Sequence, residues 1–250
     1  MSPRLERFVI MTVPRTGSNM LCTMLNSHPE ILCHHEIFNP AGVFYALDLR
    51  DGSFTLGSCA ERRADPLEFY RRIWRRPLGR PRVGFKFCLS QEPEIYELLA
   101  GGEPTLKRIL IRRRNRIKPF VSYKIAELLD QWEVYDPGEL IAERPQVEVD
   151  LGELRANIVS TEEYYERLSN RWRNLGREQL TVWYEELLEP AGLSEVLTFL
   201  GVRGDPAEKL AIGSVKQNPT DLRQLISNYD QLSRSLAGTD LASDLAATGF

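Results

Sequence analysis

The chain has few histidines and cysteines, three and four respectively among 250 residues. None of Cys22, Cys33, Cys59 and Cys88 falls in a Cys-x-x-Cys pair, and Cys22 and Cys88 lie inside apolar patterns. Small reduced core residues are expected rather than a disulfide framework. His28, His34 and His35 lie near one another in sequence, but the adjacent pair is poorly placed to share one ion and no Asp/Glu/His cluster joins them, so no metal is expected. There is no apolar run approaching the ~18 residues of a membrane span, and MSPRLERFVI lacks the long apolar stretch of a secretion signal. A cytoplasmic protein with at most peripheral membrane contact follows. Excess positive charge is also missing: the formal net charge is −3, which excludes a general field drawing in nucleic acid or anionic membranes. No internal repeat is present.

What is there is an alternation of β-branched apolar runs with helical patterns, the signature of an α/β fold around a mostly parallel sheet. Strands are expected at 8–13, 31–34, 82–88, 107–112 and 179–183, and helices at 17–26, 65–76, 92–100, 119–132, 160–175, 190–200 and 205–212. Ser160-Thr161-Glu162-Glu163 reads as a capping box opening a helix, and Gly176 and Gly201 as helix stops. Residues 133–150 have turn residues and little periodicity, so a surface excursion is expected there. The small, weakly apolar tail from about Leu236 is expected to be disordered. The whole, 1–250, reads as one domain.

Two stretches point to anions. Phe8-Val9-Ile10-Met11-Thr12-Val13 runs into Pro14-Arg15-Thr16-Gly17-Ser18-Asn19 and then a helical pattern. A strand, a tight turn and a helix start bring unpaired amides and the positive end of a helix dipole to one point. Gly17 lets backbone approach an anion, Arg15 adds charge, and Thr16, Ser18 and Asn19 add donors. The spacing is not that of a Walker A loop, whose Lys-Ser/Thr pair would hold a γ-phosphate and Mg²⁺. The second stretch, LKRILIRRRNRIKPFVSYKIAE (106–127), is again strand, turn, helix. Pro119 suits a first helical position, placing Ser122 in the first turn. Arg114 at the strand end and Ser122 can then pinch a second phosphate, one through a bidentate fork, the other through its hydroxyl.

Pro-Arg-Thr-Gly-Ser followed by Arg114-Asn115 and Ser122 resembles the sulfotransferases that use 3'-phosphoadenosine 5'-phosphosulfate (PAPS), over roughly residues 8–236. The resemblance implies a P-loop-like three-layer fold, a sheet flanked by helices. It implies that Arg15, Thr16, Gly17, Ser18 and Asn19 cradle the 5'-phosphosulfate, with Arg15 where many members have lysine. It gives Arg114 and Ser122 the 3'-phosphate, and Tyr184, in Thr181-Val182-Trp183-Tyr184-Glu185-Glu186-Leu187, the adenine pocket. Lys216-Gln217-Asn218 followed by Ile226-Ser227-Asn228-Tyr229 is similar to a nucleotide-contacting stretch of carbohydrate sulfotransferases. Glu36 matches the glutamate taken as the base in bacterial enzymes of the trehalose and lipo-oligosaccharide type, while histidine in other branches keeps His35 and His34 open. Lys86 corresponds to a basic residue near the sulfuryl group. Charge in so apolar a strand calls for such a role or for a structural ion pair.

Sulfuryl transfer needs a base, cations and in-line positioning. By ordinary pKa a histidine near ~6.5 is better poised than a glutamate near ~4.3, so Glu36 requires burial or a neighbouring anion to raise it. The six arginines of RRIWRRPLGRPR (71–82) read either as a grip on an anionic acceptor or, more simply, as a helix end and turn with solvated arginines. The resulting expectation is transfer from PAPS to a hydroxyl of a saccharide, glycolipid or small molecule. A nucleotide kinase and a non-catalytic nucleotide-binding module are the alternatives. Acceptor loops are expected at 38–80 and 130–158; acceptor identity and oligomeric state are not encoded in any motif.

Overall fold

The computed structural model describes residues 5–89, 91–202 and 210–249. The expected strands are all present: β1 (Glu6–Thr12), β2 (Ile31–His34), β3 (Arg82–Cys88), β4 (Lys107–Arg112) and β5 (Gln179–Trp183). They form one sheet in the order β2-β3-β1-β4-β5, and every neighbouring pair is parallel. β1 lies between β3 and β4, with Ile10 level with both Lys86 and Ile109. The chain fills one side of β1 with β2 and β3, then crosses to the other side with β4 and β5. That reversal opens a crevice beyond the carboxyl ends of the strands, the usual ligand position in open α/β sheets.

The period of two in β1 explains the layers. Val9 and Met11 join Val83, Phe85 and Phe87 in one buried cluster, beneath α3 (Pro66–Arg75) and α6 (Leu151–Asn174). Phe8 and Ile10 join Ile109 and Ile111 in another, beneath α1 (Ser18–Asn26) and α7 (Pro190–Phe199). Each such fully buried side chain contributes about 1.5–3 kcal/mol of hydrophobic stabilisation. Gly84 is required by this packing, since a Cβ there would fall 2.5 Å from the Phe8 ring on the neighbouring strand. The remaining helices are α2 (Cys59–Ala64), α4 (Pro93–Glu97), α5 (Ile117–Leu129), α8 (Tyr229–Leu236) and α9 (Leu241–Ala246). All four cysteines are free. Among the described residues, no helix is long and apolar enough to cross a membrane.

Three expectations are corrected. The helix expected at 160–175 begins nine residues earlier, at Leu151, where Asp150 caps it by accepting from the Glu153 amide at 2.8 Å. The Ser160 box is mid-helix, with its hydroxyl bonded to the Asn157 carbonyl. α5 begins at Ile117, not Pro119, because the Asn115 side chain accepts from the Ile117 and Lys118 amides. Pro119 is then the third helical residue, where its missing N–H still costs no helical bond, and Ser122 lies past the first turn. The tail is ordered: Leu236, Leu241 and Leu245 are buried against Ile117 and Val121 of α5. Four-residue spacing of Leu241 and Leu245 supplies the apolar stripe of a short helix. Asn115 and Arg116 fasten it by bonding the Asp244 carbonyl and carboxylate at 2.6 and 2.7 Å. Most of the helix expected at 205–212 lies outside the described residues, and Leu210–Ile212 is not helical.

Candidate active site

The turn after β1 is built for an anion. Gly17 has φ 87°, and a Cβ there would lie 2.2 Å from the Tyr184 ring packed over it. The first turn of α1 carries neither a side-chain cap nor an acidic residue, leaving its amides and dipole to an incoming negative charge. Arg15 is also left-handed, at φ 68°, a conformation that costs on the order of 1–2 kcal/mol. Its guanidinium offsets this through three bonds. Nε donates to Ser122 Oγ at 2.9 Å, Nη2 to Gln217 Oε1 at 2.8 Å, and Nη1 to the Trp132 carbonyl. Thr16 departs from expectation. Its buried hydroxyl bonds Thr12 Oγ1 and the Val13 carbonyl, so it braces the turn and does not line the cavity.

Lys86 and Glu36 meet inside the same cavity. Lys86 Nζ lies 2.7 Å from Glu36 Oε1 and donates to Asn19 Oδ1. Asn39 and Gln91 donate to Glu36 Oε2 at 2.7 and 2.6 Å. Burial pushes the Glu36 pKa up, but the Lys86 ammonium, with Asn39 and the Cys88 side chain, outweighs it, leaving the carboxyl below the ordinary glutamate value. Burial likewise opposes the Lys86 charge, and the Glu36 carboxylate overcomes it, raising the lysine. The anticipated upward shift of Glu36 is therefore absent: its nearest charge is a cation. His35 and His34 are core residues. Burial, reinforced by Lys86 and Arg50, drives His35 well below its ordinary value, and its Nδ1 is 3.0 Å from Tyr135 Oη. His34 is held at about 3, by burial and then by Arg80, with Nδ1 accepting from the Ala46 amide at 3.3 Å.

At the second candidate anion position, Arg113 lines the cavity and Arg114 does not. Arg114 points out, more than half exposed, pairs with Glu186 and lies 4.9 Å from the Trp183 ring centroid. Side chains alternate sides as extended chain leaves a strand, and it is Arg113 that lines the cavity, 4.5 Å from the Tyr184 ring centroid. Ser122, Lys118, Lys216, Gln217 and Asn218 line it too, and Ser122 Oγ accepts from Asn218 Nδ2 at 2.9 Å. Ile226 and Tyr229 do not: Ser227 donates its amide to Val147, and Tyr229 Oη reaches the Leu245 carbonyl. The arginines of 71–82 are structural, pairing with Glu68, Glu61, Asp48 and Glu30 away from the cavity.

The cavity, of about 1160 Å³, thus gathers Arg15, Lys86, Arg113, Lys118 and Lys216 in a chain of net negative charge. Burial lowers Arg15 to about 10, with Arg144 and Arg113 adding repulsion. Burial and then Arg113 also lower Lys118 and Lys216. Cations held against desolvation and mutual repulsion are what a multiply charged anion relieves. Among the described residues, no cluster of three or more His, Cys, Asp or Glu could hold a metal ion. Sequence reasoning missed Arg113, Arg50, Glu133 and Tyr135. Glu133 lines the cavity, with Arg50 and Tyr135 bonded behind it, because α5 ends at Leu129 and the chain reverses through Asp130, at φ 47°, a turn no motif announces.

No protein-family model matches the chain. Nodulation protein H of Rhizobium tropici is 26% identical over 244 residues, covering 94% of this chain and 91% of that protein. Its Rhizobium meliloti counterpart is 28% identical over 235 residues, covering 90% and 89%. Among solved structures, a sulfotransferase from Alicyclobacillus acidocaldarius aligns over 96% of this chain and 92% of that one, with TM-score 0.50 and 18% identity. The fold is that of a sulfotransferase, with the anion turn at the end of its central strand. In sequence, the chain is similar along nearly its whole length to nodulation protein H.

Proposed function

We propose that the chain is a PAPS-dependent sulfotransferase acting on a hydroxyl of a saccharide-containing acceptor. The observation that carries this reading is the Lys86–Glu36 pair buried beside the uncapped start of α1, in a cavity that also gathers four further cations. The donor set suits a nucleotide with phosphate at both ends of its ribose. The turn amides of residues 15–19 and Arg15 take the 5' end. Arg113, Ser122, Lys118 and Lys216 take the 3'-phosphate, and Tyr184 packs beside the base. When bound, PAPS supplies an activated sulfuryl group that a hydroxyl accepts. Lys86 Nζ offsets charge developing there. Glu36, ionised and oriented by Asn39 and Gln91, accepts the proton of the attacking hydroxyl. Relation to nodulation protein H supports an oligosaccharide acceptor.

The test is PAP release from PAPS in the presence of oligosaccharide acceptors, with a sulfated product identified by mass. Wild type is expected to produce both, and E36Q to bind PAP without turnover. ATP-dependent phosphorylation of the same acceptors would instead establish a kinase, and nucleotide binding without any turnover a binding module.

A further inference from the structure

Residues 132 and 133 stand where the donor turn touches the rest of the cavity wall. Arg15 Nη1 donates to the Trp132 carbonyl, and Asn19 links Glu133 to Lys86, donating to Glu133 Oε2 at 3.4 Å while accepting from Lys86 Nζ. Glu133 is rigidly presented. Its Oε1 is 2.8 Å from Arg50 Nη1 and its Oε2 accepts from Tyr135 Oη at 2.6 Å. Tyr135 Oη, having donated there, accepts from His35 Nδ1, and the Arg50 guanidinium lies 5.7 and 5.2 Å from the Phe44 and Tyr135 ring centroids. Beside this pair, Trp132 and Tyr123 line the same cavity yet remain 40% and 39% exposed, their rings 5.3 Å apart and inclined at 67°.

Large aromatic faces left open in a cavity wall mark a contact that the chain does not itself complete. The Glu133 carboxylate, held by Arg50 and Tyr135, offers an acceptor to a neighbouring hydroxyl through a charge-assisted bond. Apolar ring faces next to such a hydroxyl-binding carboxylate match one ligand chemistry: a pyranose, with C–H groups on its faces and hydroxyls on its rim. We propose that Trp132, Tyr123 and Glu133, the last oriented by Arg50, form a saccharide subsite, holding a sugar ring of the acceptor next to the hydroxyl addressed by Glu36. This rests on the sulfotransferase reading and narrows it: specificity is for an acceptor with a sugar ring to bind, not for an isolated alcohol. Because Arg15 and Asn19 belong to the donor turn, the same two side chains hold donor and sugar positions in register.

The test measures sugar binding separately from turnover. PAP-saturated wild type, W132A and E133Q are titrated calorimetrically with trehalose, cellobiose and chitotetraose, and the PAP thermal shift of each is recorded alongside. At least one sugar is expected to bind wild type, with its Kd raised about tenfold or more in both variants while the PAP shift is kept. Should W132A fail to fold, E133Q, which preserves size and shape, decides alone. Equal affinity in wild type and variants overturns the subsite, as does a wild type that binds PAP but none of the sugars. Loss of the PAP shift in W132A also overturns it, by giving Trp132 to the nucleotide base. A wild type with no PAP shift brings down the sulfotransferase reading itself.

Discussion

At the scale of single residues, the proposed chemistry turns on the Lys86–Glu36 ion pair, whose protonation is settled by its surroundings. Glu36 lies below its ordinary pKa despite burial, because Lys86 is 2.7 Å away. A lowered carboxylate is charged above its folded pKa and loses that charge only as pH falls through it. His35, driven far down by burial, is neutral at the same pH values. The kcat/KM profile is therefore expected to show no break attributable to these groups between about pH 5.5 and 8. An acid-limb break near pH ~6.5 would make a histidine the base instead. Replacing Glu36 by Gln keeps its shape and removes proton acceptance, so kcat should fall by roughly 10²–10⁴-fold with PAP affinity kept, as measured by turnover and calorimetry. Sequence alone made Glu36 and Lys86 legible, as a charge inside an apolar strand and an acid just past another. Their direct pairing was not, because it depends on how β2 and β3 lie side by side.

At the scale of elements, the β1–turn–α1 unit is where the proposed anion contact rests. Gly17 has a left-handed backbone and no room for a Cβ beneath Tyr184. Gly17→Ala should cost on the order of 1–3 kcal/mol in stability and abolish the PAP-induced thermal shift, both read by differential scanning fluorimetry. A variant that folds as well as wild type and still binds PAP would remove the turn from the site. All five strands and this turn were legible, since continuous β-branched apolar runs and a strand broken by proline and glycine are local signals. The failures were at helix ends. Ser160-Thr161-Glu162-Glu163 satisfies a capping pattern yet lies within α6, because Asp150 caps the helix earlier and nothing between them breaks it. That Arg113 and not Arg114 faces the cavity was not legible for a related reason: which of two adjacent arginines faces a crevice depends on the strand's register, which the sequence leaves open.

At the scale of the whole molecule, a net-negative chain concentrates cations at the carboxyl ends of its sheet, while arginines such as Arg7, Arg82, Arg116 and Arg171 are tied up in ion pairs elsewhere. The C-terminal segment helps hold that arrangement. α9 buries Leu241 and Leu245 against α5, the helix carrying Ser122 and Lys118. Deleting residues 237–250 should destabilise the protein by roughly 3 kcal/mol or more, from the two leucines alone, and weaken PAP binding; an unchanged melting temperature would contradict this. Low complexity concealed the role of this tail: its alanines and glycine suggest disorder, and only the surface offered by α5 gives its leucines a place.

The measurement that bears most directly on the central claim is a thermal-shift comparison of PAP with ATP plus Mg²⁺, on wild type, R113A and R114A. A ligand at about 100 times its Kd stabilises by ~2.7 kcal/mol, or roughly 5–10 °C for a protein of this size. The account predicts a shift of that order with PAP, no comparable shift with ATP and Mg²⁺, loss of the PAP shift in R113A, and its retention in R114A. A shift with ATP and Mg²⁺ but none with PAP would contradict it.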